Sequence, residues 1–464
     1  MIRTEQFLST VNLDLLKRFD IPGPRYTSYP TAPIFSSDYT DKSFEIDLIT
    51  NNDQTQAPLS LYVHIPFCDT LCYFCGCTTM VTSSRERIAD YIALLKQEIH
   101  RMAFYIKKQR RVVQMHWGGG TPSYLDPDQI SDLGAFIRER FAFADDAEIS
   151  IEIDPRGLTR EHMQAFRQFG TNRISIGVQD FDERIQRAVN RIQPEELTRQ
   201  AMEWAAEVGI QSINLDLIYG LPLQTVTSFE ETLKRIVPMS PHRIAVFNFA
   251  YVPWMKPHQK LIHPEDLPSV ETKLELLKMT IERLTQAGYR YIGMDHFAKP
   301  EDDLTISQQE KTLHRNFQGY STHAGADLFG FGMSSISHFG DVYAQNAKTI
   351  KEYAEAVNNG QFPVKLGYRM TCDDRVRKYV IMRLMCDLEL KKLDVERRFG
   401  ILFDEYFDTS LDRLDEFVEA DLVRHTIERI IVADEGRLFL RNIAMCFDAY
   451  LEKLRKTTTF SRTV

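Results

Sequence analysis

Four of the chain's seven cysteines fall within ten positions, as Cys68-x-x-x-Cys72-x-x-Cys75-x-Cys77. Thiolate is a soft ligand for iron, and three thiolates in one short loop can hold three corners of a cubane iron–sulfur cluster. The fourth iron then stays open and can chelate a small molecule. The competing chemistry is a structural zinc site with Cys77 as fourth ligand, but zinc ribbons bring two Cys pairs from separate places, and these four share one loop. The other cysteines, Cys372, Cys386 and Cys446, are scattered. An odd total with one tight cluster is no disulfide framework and points to a metal or cluster site in a reducing compartment.

The spacing resembles that of the radical S-adenosylmethionine (SAM) enzymes, which bind SAM through its amino and carboxylate groups on the open iron. Two nearby features suit that chemistry. Phe74, beside the last ligand, can pack on an adenine ring or be an ordinary core aromatic. Gly118-Gly119-Gly120-Thr121 offers backbone without side chains to a bound amino acid, although triple glycines also serve simple turns.

The surrounding chain repeats one theme, a β-branched run followed by a loop and a helical pattern. Strands are read at 61–67, 112–117, 148–154, 173–179, 213–219 and 243–249, and helices at about 84–106, 128–142, 159–169, 195–208 and 227–237. Pro194 at a first turn, Asp126 before Pro127, and Thr227 with Glu230 at capping-box spacing mark helix starts. Such alternation predicts a parallel sheet, either open and doubly wound or closed as a barrel. Polar residues gather at the C-terminal strand ends, where barrel chemistry sits: the cysteine loop, the glycine run, Glu152 and Asp154, Gln179 and Asp180, and Asp216. A further strand-like run at 289–297 precedes a Gly-rich apolar segment. From about residue 371 the chain turns mostly helical, with a hairpin-like piece turned at Asp434 to Gly436. Two helices and a hairpin would suit a winged helix, but the segment is slightly acidic, and a cap over the barrel mouth is the better reading.

In order along the chain, PRYTSYP, LYVHIPFCDTLCYFCGC, HWGGGTPSYL, EISIEIDPR, IGVQDF, NLDLIYGLP, GMDHFA, HRNFQGY and NIAMCFDAYL resemble the bacterial oxygen-independent coproporphyrinogen III dehydrogenase (oxidase) family. The resemblance implies an α/β fold: an incomplete parallel (βα)6 TIM-like barrel at 55–370, an N-terminal arm at 1–54 covering the active site, and a mainly helical C-terminal cap at 371–464. It implies a [4Fe-4S] cluster on Cys68, Cys72 and Cys75. It also implies two SAM molecules, the first near Tyr62, Gly119, Glu152 and Ile336, the second near Phe74, Gly120, Thr121, Gln179, Arg191, Asp216 and Ala250. A 5′-deoxyadenosyl radical would turn two propionates of coproporphyrinogen III into vinyl groups, giving protoporphyrinogen IX for haem synthesis. Cys77 belongs to the pattern, yet a fourth thiolate would close the iron that SAM needs, so it is expected not to be a ligand. Four propionates call for cations, with Arg25, Arg156 and Arg315 as candidates. His64, His296 and His314 are read as hydrogen-bonding residues before catalysts. The alternatives are the related haem chaperone, which is shorter and lacks the counterparts of Cys77 and HRNFQGY, and a radical SAM enzyme for another carboxylate. An unidentified electron donor and acceptor and a monomeric state complete the expectation.

The 464 residues are 43% hydrophobic and 26% charged, ordinary for a globular enzyme, and exclude disordered and fibrous classes. A net charge of −9 disfavours general nucleic-acid binding, which needs a basic face. The first twenty residues carry Glu5, Asp14 and Asp20 and lack an apolar core and cleavage site. No stretch approaches the ~18 apolar residues that span a bilayer. A cytoplasmic protein without nucleic-acid or membrane partners is expected.

Overall fold

The six β-branched runs form the strands β1 (Leu59–Ile65), β2 (Val112–Gly119), β3 (Phe143–Ile153), β4 (Arg173–Gln179), β5 (Ser212–Tyr219) and β6 (Arg243–Asn248), parallel and paired in that order. The structure is a computed structural model that describes residues 11–463; the first ten residues of the expected arm, Glu5 among them, lie outside the described residues. A helix follows each strand: Arg85–Tyr105, Pro127–Arg140, Arg160–Phe169, Glu195–Glu207, Val226–Ile236 and Val270–Gln286. Two starts match the reading, with Pro194 just before its helix and Gln129 Oε1 accepting the Asp126 N–H at 3.0 Å. The third is corrected. The capping box uses Thr225 and Ser228, whose Oγ accepts the Thr225 N–H at 2.9 Å, not Thr227 with Glu230.

Strand periodicity splits each strand into two faces. Met115 and Trp117, Ile149 and Ile151, Ile174 and Ile176, and Leu215 and Leu217 are buried in the main apolar core, each worth roughly 1.5–3 kcal/mol. The alternate positions are polar: Gln114 and His116, Glu148, Ser150 and Glu152, Arg173 and Ser175, and Asn214 and Asp216. They line a cavity inside the barrel.

The barrel is incomplete. Beside β1 lies the parallel strand Asp327–Phe331, followed by antiparallel Ile336–Phe339, Val342–Asn346 and Val364–Arg369; beyond β6 lie antiparallel His296–Ala298 and Arg290–Gly293. The C-terminal region spans the gap between these two ends of the sheet. At one end Lys378 Nζ lies 2.7 Å from His338 Nε2, and at the other Arg437 Nη1 donates to the Tyr291 carbonyl at 3.2 Å.

The C-terminal hairpin is also corrected. Its strands are Val423–His425 and Arg429–Val432, so the turn falls at 426–428, while 435–445 is helical. Gly436 is used for close packing rather than for a turn, because a side chain there would collide with the Leu422 carbonyl. With Glu389–Lys391 as third strand, the order of elements is that of a winged helix. Its last helix, Asp408–Glu419, presents Asp408, Asp412, Asp415, Glu416 and Glu419 against one Arg413, a charge that repels phosphate.

Residues 20–30 run back along this region. Tyr26 Oη donates to Asp448 at 2.8 Å, Arg441 holds the Gly23 and Pro24 carbonyls, and Thr463 N–H donates to the Ile21 carbonyl at 2.8 Å. No helix among the described residues is long and apolar enough to cross a membrane.

Candidate active site

The cysteine loop leaves β1 through Phe67–Cys68, which pairs with Met80–Val81, so both ends of the loop are fixed. Its middle is held by side chains from elsewhere. Asn190 Nδ2 donates to the Leu71 carbonyl at 2.9 Å, His258 Nε2 to the Cys75 carbonyl at 2.8 Å, and Lys256 Nζ to the Cys77 carbonyl at 2.8 Å. These residues escaped the sequence reading, since nothing local marks a contact some 180 positions away; the separations are 183 and 179 residues for His258 and Lys256.

Cys68, Cys72 and Cys75 all face the cavity, as does the exposed Cys77. Cys68 Sγ lies 3.3 Å from Thr121 Oγ1, and burial pushes its thiol up to about 12. Cys72 Sγ lies 3.5 Å from Arg156 Nη2 and 3.7 Å from Arg191 Nη1. A hydrogen bond with Cys77 holds the Cys75 thiol down to about 6, with Lys256 and His258 assisting against burial.

Both arginines close on Asp154, Arg191 at 2.8 Å and Arg156 at 2.6 Å. Burial would raise the Asp154 carboxyl, but Arg191 and Arg156 outweigh it and hold it below the usual range. Arg156 is thereby engaged at the cysteine loop. Arg315 is buried behind the cavity wall with its guanidinium 4.8 Å from the Tyr320 ring. Arg25 is the sequence candidate that faces the cavity with modest commitment, 3.3 Å from Asp295. On the same wall, the buried His296 Nδ1 and Gln318 Nε2 have no hydrogen-bond partner.

The glycine run ends β2 against β1 and β3. Gly119 has φ +115, and a Cβ there would lie 2.6 Å from His64 Cε1; a Cβ on Gly120 would lie 2.6 Å from the Pro66 carbonyl oxygen. The cradle therefore exists only without side chains. His64 is a satisfied buried histidine: Nε2 donates to the Thr78 carbonyl at 2.9 Å, which leaves Nδ1 to accept from Tyr62 Oη at 3.0 Å. Burial lowers its pKa and keeps it neutral.

Glu152 accepts the Gly119 N–H at 3.1 Å and faces His116 Nε2 at 3.3 Å, while His116 Nδ1 lies 2.7 Å from Ser150 Oγ. Burial alone would raise Glu152, but His116 and Gly119 hold it below its ordinary value. His116, which stacks with Tyr62 at 6.0 Å, was another residue missed, although the alternation along VVQMHW places it on the inward face beside Gln114. Asp216 accepts from Ser175 Oγ and Asn214 Nδ2, both at 2.7 Å, and burial pushes it up to about 6. Gln179, Phe74, Thr121 and Ala250 also face the cavity. Tyr62 stands behind the wall, and Ile336 lies two strands from β1 and off the wall.

The cavity, of about 1050 Å³, runs from the thiol loop at the strand ends to Glu148, Arg173 and Arg243 at the opposite end. Three thiols of one loop facing the cavity, a side-chain-free cradle and the inward carboxylates Glu152 and Asp216 suit by their chemistry an iron–sulfur cluster carrying an amino-acid-like cofactor.

Residues 62–236 match the Radical SAM superfamily, so the class that fold and thiol loop define is a radical SAM protein with a [4Fe-4S] cluster and SAM. Residues 370–439 match the HemN C-terminal domain. The chain is 47% identical over 98% of both chains to the oxygen-independent coproporphyrinogen III oxidase of Salmonella typhimurium. It is 44% identical over 97% of both to that of Synechocystis sp.. Among solved structures, coproporphyrinogen III oxidase (HemN) from Escherichia coli, described as a radical SAM enzyme, superimposes with a TM-score of 0.91 at 45% identity, over 96% of this chain and all of that one. The chain belongs to the oxygen-independent coproporphyrinogen III oxidase family.

Proposed function

We propose that this protein converts coproporphyrinogen III to protoporphyrinogen IX without oxygen, by oxidative decarboxylation of two propionate side chains to vinyl groups, as a step of haem synthesis. The observation that carries the reading is that the thiol loop and a wall bearing Arg25, His296 and Gln318 share one cavity. Radical generation and carboxylate recognition thus occupy the same space.

Cys68, Cys72 and Cys75 hold the cluster, and Cys77 is not a ligand. When bound, the cluster and SAM would supply the radical chemistry that hydrogen removal from a propionate β-carbon requires. The chain's own part is positioning. Glu152, oriented by His116 and the Gly119 N–H, would accept hydrogen bonds from the first SAM, with Gly119 beside it; Tyr62 and Ile336, both off the cavity wall, join them on the family resemblance alone. Phe74, Gly120, Thr121, Gln179, Arg191, Asp216 and Ala250 would hold a second SAM. Arg191, fixed between Asp154 and the Gly177 carbonyl, is pre-set to face an anionic group. Arg25, on the arm, pairs with a propionate in exchange for Asp295. The arm at 1–54, the barrel at 55–370 and the cap at 371–464 act as one monomeric, cytoplasmic enzyme with separate electron donor and acceptor.

The test is anaerobic incubation of cluster-loaded protein with SAM, a reductant and coproporphyrinogen III, followed by mass spectrometry of the oxidised porphyrins. Stepwise loss of carbon dioxide with two hydrogens, matched by 5′-deoxyadenosine, is expected. Unchanged porphyrin beside an intact, SAM-responsive cluster would instead assign a haem chaperone or another substrate.

A further inference from the structure

A cluster on Cys68, Cys72 and Cys75 must receive each electron from outside this chain, and the segment tied to the thiol loop carries exposed apolar and basic side chains. We propose that the segment 252–261 is the docking face for a small acidic one-electron carrier protein. The proposal rests on the radical chemistry assigned above.

Trp254, Met255 and Leu261 leave 60%, 64% and 55% of their surface exposed. Single exposed apolar residues are ordinary, but three large ones within eight positions form a patch of the kind that marks an interaction site. None of the three lines the cavity, so they are not substrate surface. Interleaved with them are Lys256, His258 and Lys260, and no acidic residue occurs from Ala250 to His263, in a chain of net charge −9. A local basic and apolar face on an acidic molecule draws an acidic partner to that one place and orients it. Redox encounters are small, below ~1,200 Å², an area within reach of such a segment.

The segment is also tied directly to the thiol loop. Lys256 and His258 hold the Cys77 and Cys75 carbonyls at 2.8 Å each, and Gln259 Nε2 holds the Phe74 carbonyl at 3.2 Å. A carrier seated on this segment therefore meets residues that hydrogen-bond directly to the backbone of the thiol loop. The electron balance is simple: a flavin hydroquinone or reduced iron–sulfur carrier loses one electron, the cluster gains it, and no group is transferred.

The test uses full-length cluster-loaded protein and flavodoxin hydroquinone as probe, following bleaching of the cluster's visible absorbance by anaerobic stopped flow, with dithionite as a small reductant for comparison. Trp254→Ala and Lys260→Glu are each expected to slow reduction by flavodoxin by about ten-fold and leave the dithionite rate unchanged, while Lys260→Arg retains the native rate. Added salt should slow the flavodoxin reaction of the native protein. Unchanged flavodoxin rates in both variants, or equal slowing with dithionite, would overturn the proposal. No porphyrinogen is present, so the result stands apart from whether the chain decarboxylates it.

Discussion

Glu152 and His116 face each other across adjacent strands, Oε1 to Nε2 at 3.3 Å, and the carboxylate's other oxygen accepts the Gly119 N–H. The pair fixes a cavity-facing acceptor at the edge of the glycine cradle. Glu152→Gln and His116→Ala should each weaken SAM binding roughly ten- to hundred-fold, the range of one hydrogen bond to a charged group. Equilibrium dialysis against SAM, with iron content measured in parallel, checks this; loss of iron along with SAM would show that the pair serves the fold instead.

Gly119→Ala is expected to be worse than its one added methyl suggests. The left-handed φ of +115 strains any side chain, and the methyl would meet the His64 ring at 2.6 Å. His64 cannot yield without breaking its bonds to Tyr62 and Thr78. A destabilisation of about 1–3 kcal/mol with loss of SAM binding should appear in thermal melts and dialysis. Gly76→Ala, where a Cβ would meet nothing within 4 Å, is the control.

Asp216 makes stability depend on pH. Its folded pKa of about 6 lies above the ordinary carboxyl value, so its ionisation opposes folding. The favourable contribution is complete below the unfolded pKa near 3.9, declines as pH rises, and is lost above about 6, a difference of roughly 3 kcal/mol. Asp216→Asn removes this dependence. The variant should gain in Tm relative to the native protein between pH 4 and pH 7; a constant difference across that range would refute the assignment.

Cys77→Ser should retain the iron content and the SAM-responsive cluster spectrum, whereas Ser at Cys68, Cys72 or Cys75 should lose the cluster. Four-cysteine ligation in the SAM-bound native protein, read by electron paramagnetic resonance and iron analysis, would contradict this reading of Cys77.

Much of the barrel was legible because both of its faces are written in period two. In EISIEID the isoleucines enter the core while Glu148, Ser150 and Glu152 turn inward, so one short string predicts a strand and a polar interior. The thiol loop was legible from spacing alone. What failed were signals with two possible uses. Thr225 and Thr227 both have box spacing, and only the reciprocal bond of Ser228 decides between them. Asp434-Glu435-Gly436 reads as a turn, yet its glycine serves close packing against Leu422. His116, Lys256 and His258 act through contacts between distant segments, for which a single sequence holds no local mark.

The thiol loop's backbone is already anchored by Asn190, Lys256, His258 and Gln259. These bonds tie the loop that carries the three thiols to segments 119 to 185 residues away along the chain. A substitution at position 190, 256, 258 or 259 would thus loosen the cluster's seat without touching a thiol.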